Sequence, residues 1–411
     1  MTSRGAPVTP TQSPPTNTSL PTGHGGPVPI RGERYHDLDL LRGLLMMGGV
    51  VVHTGTLAAS ETANRISQAS GLFRMEAFMV ISGFLSLMML QKYGTAVTSK
   101  RRLIAIGVPF VVTLLVINPP TLWLVYQFHN PGLWTDGYWS FLANLFDLGD
   151  RQGPVVWHLQ LWFLIPLLVY VPLVLPIAKV VDGLSRASSH VPSWAWFTVA
   201  AAGLAAACLA SRLVYEVAAE SITPRPLRFV VRQTLYYLPF YAVGFVLFAS
   251  PGMRTAFFRF RPLHLVAAGV WVWLATRYFD SLPKKPAEAV LLVGQAYFGF
   301  VLVSTLMWVF RRWFASGGQV SRFLSDSAYT VYLLHFIVIY GLATLVWDRM
   351  PDGNWRMIPI GLATLAITLL LHAFVVSRVP LLRFLLNGRG KSGSKPATRS
   401  GSAVATGTSA A

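Results

Sequence analysis

The sequence predicts an all-α, polytopic integral membrane protein: a helical bundle of about ten transmembrane helices with both termini cytoplasmic. Three observations predict it. Of the 411 residues, 53% are hydrophobic and only 12% are charged, whereas a soluble protein carries about 25% charge. Apolar runs of spanning length recur at roughly 38–58, 72–91, 103–127, 155–178, 193–211, 234–250, 263–280, 289–310, 326–347 and 357–376. With ten spans, lysine and arginine divide 21 on the side of the termini against 12 on the other, Arg42 counted apart, and acidic residues divide the opposite way. The positive-inside rule then assigns the richer side to the cytoplasm.

Residues 1–34 are rich in Pro, Thr, Ser and Gly without an apolar stretch, which reads as a disordered cytoplasmic tail and not as a signal peptide. The transmembrane domain occupies 35–378, and 379–411 reads as a basic, low-complexity cytoplasmic tail. The formal net charge of +18 would suggest nucleic acid if it lined a soluble face. Here the basic residues separate apolar spans, so membrane lipid headgroups and an anionic cytoplasmic ligand are the expected counter-charges, and nucleic acid is not. Cys208 is the single cysteine, which excludes an intramolecular disulfide and a cysteine metal site; no metal centre is expected.

The first span, DLDLLRGLLMMGGVVVHTG, holds Arg42 and His53 eleven residues apart. Eleven helical steps make about three turns, so both share one face, roughly 16 Å apart. Ionisable groups within a spanning helix are costly, and by default they mark a site. In the second span, FRMEAFMVISGFL, Glu76 lies at the depth of His53, where a carboxylate could orient an imidazole acting as general base; a salt bridge to Arg74 or Arg65 is the alternative. Ser82, Gly83 and Phe84 follow at mid-membrane, Ser82 as a substrate contact or the group as a close helix crossing.

Further along, Lys100, Arg101 and Arg102 offer paired donors to the phosphates of a nucleotide-bearing donor, or simply positive-inside charge. The loop 129–154 mixes Trp and Tyr with Asp136, Asp147 and Asp150, suited either to sugar binding or to an interfacial aromatic belt. Trp157 and His158 open the fourth span near the outer surface, where they could join His53 in binding substrate, or His158 could be an interfacial histidine. In the ninth, SDSAYTVYLLHFIV places Ser325, Tyr329, Tyr332 and His335 where they could line a tunnel or bond across helices; Tyr332 and His335 are the substrate-binding candidates.

LDLLRG with His53 eleven residues after Arg42, then FRMEAFMVISGFL, KRRLIAIGVPF, WHLQLWFL and SDSAYTVYLLHF, in that order, resemble the acyltransferase 3 family, in wording its glucan succinyltransferase subgroup. The likeness covers about 35–376. It implies a ten-helix domain in a cell membrane, the inner membrane of a bacterium, that takes an acyl group from cytoplasmic acyl-CoA and transfers it to a hydroxyl of an extracytoplasmic glycan or glycolipid. Acyl-CoA is then a donor substrate, with no permanently bound cofactor. Succinyl and acetyl are the favoured acyl groups. Arg42 and His53 match the family's signature, in which the histidine is catalytic, and Ser82 to Phe84 match its SGF element; Glu76 as an aid to His53, and Arg42, Arg101 and Arg102 on the donor-binding side, are the accompanying expectations. The family's second motif, two arginines three apart before a proline, is broken here by Ala105 ahead of Pro109. The rival reading of ten spans with intramembrane Arg and His is a transporter or flippase of a lipid-linked sugar or acyl compound.

Overall fold

Each apolar run forms helix, because a backbone in hydrocarbon must satisfy its own hydrogen bonds. The computed structural model describes residues 35–58, 60–132, 136–144, 158–187, 195–222, 225–278 and 283–388, and among them there is no strand. In chain order the helices are α1 (His36–Thr54), α2 (Glu61–Gly71), α3 (Arg74–Arg102), α4 (Val108–Val112), α5 (Asn118–His129), α6 (Gly137–Ala143), α7 (Leu164–Ala187) and α8 (Trp196–Ala218). There follow α9 (Arg225–Ala249), α10 (Pro251–Phe257), α11 (Pro262–Tyr278), α12 (Lys284–Phe314), α13 (Gln319–Val346), α14 (Met357–Leu371) and α15 (Pro380–Asn387).

All ten anticipated spans fall on helices, but their lengths do not return ten separate crossings. Seven helical stretches are long and apolar enough to cross a bilayer, and the bent pair Leu227–Ala249 with Pro251–Phe257, turned by 113°, makes an eighth. One of the seven, Glu61–His129, runs for 69 residues, about 100 Å at helical rise, and it contains two of the anticipated spans. The chain turns within it at Gly94, whose φ of 74° lies in the left-handed region that suits glycine. The described apolar part of α11, Pro262–Ala275, is shorter than a full crossing.

Around a buried apolar core, the outer surface differs from that of a water-soluble fold. Val217, Leu263, Val320 and Leu115 are among many large apolar side chains left exposed, while Ser86, Thr113, Thr121, Thr330, Thr364 and Thr368 are buried. In water such a surface would aggregate. Facing lipid it costs nothing, and the protein is a multi-pass membrane protein.

Two crossings position the site. Helix α3 meets α9 backbone to backbone: a Cβ added at Gly83 would come within 1.9 Å of the Tyr241 carbonyl, and one at Gly244 within 2.1 Å of the Val80 carbonyl. Helix α1 packs along α13, with Gly43 against Ser325 and Ala328. At the other end of the same contact the Thr56 hydroxyl lies 2.9 Å from that of Tyr340. The two helices therefore run side by side in the same direction, and residues of equal depth face each other.

Helical structure continues beyond the anticipated domain end at 378. Helix α15 packs on α4 and α13, closed by Gly388 in the left-handed conformation. The Thr330 hydroxyl donates to the Asn387 side-chain oxygen at 3.2 Å. The basic tail accordingly begins later than residue 379; residues 1–34 and 389–411 lie outside the described residues.

Candidate active site

Helix α1 presents Arg42, Met46, Gly49 and His53 at spacings of four, three and four, which place them on one face. Helix α13 presents Ser325, Tyr329, Tyr332 and His335 beside it at four, three and three. Together they border two cavities. The larger, 220 Å³, is lined by Arg42, Ser82, Arg101, Arg102, Ser325 and Tyr329. The smaller is a cleft of about 20 Å³ bordered by His53, Arg74, Gln160, Trp162, Tyr332 and His335. Met46 and Phe78 line both, so the two spaces adjoin along α1, one at the Arg42 end of the bundle and the other at the His53 end.

At the Arg42 end the structure brings together Arg42, Arg101, Arg102 and Ser82. Arg42 is 3.7 Å from the Asp39 carboxylate. The Arg102 guanidinium donates to the Ser82 carbonyl at 2.9 Å, and Arg101 sits over the Tyr93 ring at 4.1 Å. Ala105, where the second arginine of the family motif was missing, lies under the end of α15: a Cβ on Gly388 would stand 2.4 Å from its Cα. Ala105 also lines the larger cavity, beside Arg101 and Arg102.

At the His53 end, the half-buried imidazole packs on the rings of His335 and Phe336, with centroids at 5.2 and 4.6 Å. His335 is buried, and its Nδ1 lies 2.6 Å from the Tyr332 carbonyl. A carbonyl can only accept, so Nδ1 carries the proton and the neutral ring keeps Nε2 as a lone-pair acceptor. That Nε2 has no hydrogen-bond partner. The Tyr332 hydroxyl donates to the Gln160 carbonyl at 2.6 Å, while the Gln160 amide donates to the Leu333 carbonyl at 3.2 Å. These two bonds tie the segment before α7 to α13. The tie is made through Leu159, whose φ of 43° is strained for a residue with a side chain, at a cost of about 1–3 kcal/mol.

Glu76 is not brought to His53. It is fully buried on the opposite side of α3, where the Tyr236 hydroxyl approaches its carboxylate at 3.4 Å and Gly299 of α12 leaves room for its side chain. Arg74 takes the place expected of it. A Cβ on Gly49 would fall 2.7 Å from the Arg74 Nη1 and 3.8 Å from the His53 ring, so the guanidinium lies across the glycine pair of α1 beside the imidazole. Residues two apart on a helix point about 200° away from each other, so Arg74 and Glu76 cannot both face α1. That spacing was the signal in the sequence, and it also disfavours a salt bridge between them.

His158 is buried against Phe229, centroids 6.0 Å apart, and is not in the cleft; Trp157 lies outside the described residues. Gln160 and Trp162 line the cleft in their stead. Of the aromatic loop, Phe141 is buried and Tyr138 packs on Trp123, while Trp139 is 77% exposed; Asp147 and Asp150 lie outside the described residues.

The sequence model of the acyltransferase domain family matches residues 35–373. Similar curated proteins are those named glucans biosynthesis protein C from Escherichia coli strain K12 / DH10B, strain O157:H7 and strain O9:H4. Each is 25% identical over 392 residues, covering 88% of this chain and 96% of the relative. No solved structure matches.

Proposed function

Because the chain belongs to the acyltransferase domain family and is a membrane acyltransferase, we propose that it carries an acyl group from cytoplasmic acyl-CoA to a hydroxyl of an extracytoplasmic glycan or glycolipid. The observation that carries this reading is the pair of adjoining spaces along α1. A cavity with three arginines at one end adjoins a cleft with two histidines and an arginine at the other. Arg42, Arg101 and Arg102 would meet the phosphates of the donor, since guanidinium matches phosphate with paired donors. The pantetheine arm would then follow Met46 and Phe78 to bring the thioester to His53.

In the cleft His53 acts as general base. It takes the proton of the acceptor hydroxyl as that oxygen attacks the thioester carbonyl carbon. The tetrahedral oxyanion collapses, the carbon–sulfur bond breaks, and the CoA thiolate leaves and recovers the proton from the imidazolium. Base catalysis of this kind contributes about 10² to 10⁴ in rate. Arg74 supplies the positive charge of the cleft, and among the described residues it has no carboxylate within ion-pairing distance. The guanidinium is half-buried; a succinyl group, with its free carboxylate, would give it a direct ion-pair partner and an acetyl group would not. This favours succinyl over acetyl. The glucan in the relatives' name supports a glucan as the acceptor.

The test uses the purified full-length protein in lipid nanodiscs with succinyl-CoA or acetyl-CoA and a glucan oligosaccharide, read by mass spectrometry of the glycan. Acyl esters formed by the wild-type protein and absent with His53→Ala are expected. Unchanged esterification by a folded His53→Ala protein would overturn the assignment.

A further inference from the structure

A third cavity, of 360 Å³, lies at the His53 end of the bundle between α8, α9 and α12. Its size falls within the range of about 300–1,000 Å³ usual for small-molecule sites. Arg212, Tyr215, Arg232, Gln233, Tyr237 and Gln295 line it. With Tyr236, which also lines it, two amides, three phenols and two guanidiniums form a set that hydrogen-bonds hydroxyls and stacks on sugar rings. Its electrostatics are close to balanced. Arg212 is held by Glu216 at 2.6 Å and by Glu288 at 3.4 Å, and Arg232 leans over the Phe229 ring at 5.8 Å. A pocket built to hold a strongly anionic phosphate would not tie one of its two cations to two carboxylates.

The wall between this cavity and the His53 cleft is thin. Tyr237 lines the cavity and its ring lies against Trp162, centroids 5.9 Å apart; Trp162 lines the cleft. The α2–α3 corner bridges the same pair of spaces, with Gly71 in the cavity and Arg74 in the cleft. A chain molecule seated in the cavity can therefore present its next unit at His53, at the opposite end of the bundle from the donor arginines. We propose that this cavity is the acceptor subsite, binding a neutral, hydroxyl-rich glycan one or two units away from the residue that is acylated. This rests on the acyl-transfer reading above and gives the acceptor its place.

The experiment measures two things on the full-length protein in nanodiscs: equilibrium binding of a linear glucan oligosaccharide, and the steady-state kinetics of transfer from succinyl-CoA. Gln233→Ala and Gln295→Ala are each expected to weaken glucan binding and raise glucan KM by about tenfold, the loss of one or two hydrogen bonds. Succinyl-CoA KM and the slow hydrolysis of succinyl-CoA by water should stay unchanged. Arg232→Gln, at an exposed rim position, repeats the test where misfolding is not at issue. Unaltered glucan binding in all three folded variants would overturn the proposal, as would displacement of the glucan by glycerol phosphate at concentrations typical of a lipid-headgroup site. Loss of thioester cleavage in the wild-type protein would count against the acyl-transfer reading alone, because the binding measurement does not depend on turnover.

Discussion

The imidazoles of His53 and His335 stand 5.2 Å apart, centroid to centroid, and only the second has its tautomer fixed, through the Tyr332 carbonyl at 2.6 Å. His335 lines the same cleft as His53, and its Nε2 is unpartnered. In the proposed mechanism the attacking hydroxyl gives its one proton to His53, so His335 would accept from a neighbouring hydroxyl of the same sugar and hold the attacking oxygen in line. Replacing His53 by Ala is expected to remove transfer by about 10² to 10⁴. Replacing His335 by Ala should lower kcat by about tenfold to a hundredfold, the energy of one or two such bonds. Equal losses in the two variants, measured as kcat at saturating donor and acceptor, would refute this division.

Arg74 offers the sharpest test of the acyl group. If its guanidinium pairs with the free carboxylate of a succinyl group, Arg74→Gln should lower kcat/KM for succinyl-CoA by at least about tenfold more than for acetyl-CoA. If it only stabilises the oxyanion, both donors should lose alike. Parallel rates with the two thioesters decide the question.

The fold class was legible because hydrocarbon leaves the backbone one economical solution, and the apolar runs are long enough to show it. The count of crossings was less so, since a helix turned at Gly94 and one bent at Ser250 do not announce their direction in composition. In the site, the α1 and α13 faces followed from spacing alone: Arg42 with His53, and Tyr332 with His335, lie where helical periodicity puts them. Glu76 was misjudged because depth was considered without azimuth. Gln160 and Trp162 line the cleft and His158 does not, because the left-handed Leu159 between them leaves no mark in a residue type that rarely adopts that conformation.

The donor end gives a kinetic prediction. Arg42 and Arg101 line the large cavity without touching the cleft, so their loss should weaken donor binding and leave the chemical step alone. Arg42→Gln is expected to raise acyl-CoA KM by about tenfold, the worth of a charge-assisted bond, with kcat little changed. The effect should shrink at high salt, where exposed charge pairs are screened. A fall in kcat at unchanged KM would place Arg42 elsewhere in the reaction.

Gly83 belongs to the SGF element, and its environment argues for a packing role separate from chemistry. A methyl group there would come within 1.9 Å of the Tyr241 carbonyl and 3.3 Å of the Gly244 Cα. Neither neighbour is a side chain that could swing aside, so α3 and α9 must separate. The same movement would loosen the hydroxyl contact between Ser86 and Tyr241 at 2.6 Å and carry Arg74 away from His53. Gly83→Ala is therefore expected to destabilise the protein by about 1–3 kcal/mol, the usual cost of overpacking, seen as a lower midpoint of thermal unfolding in detergent. Ser82→Ala, one residue earlier, keeps the backbone carbonyl that Arg102 uses and should leave that midpoint nearly unchanged. A Gly83→Ala protein as stable as wild type would mean that the two helices do not cross here.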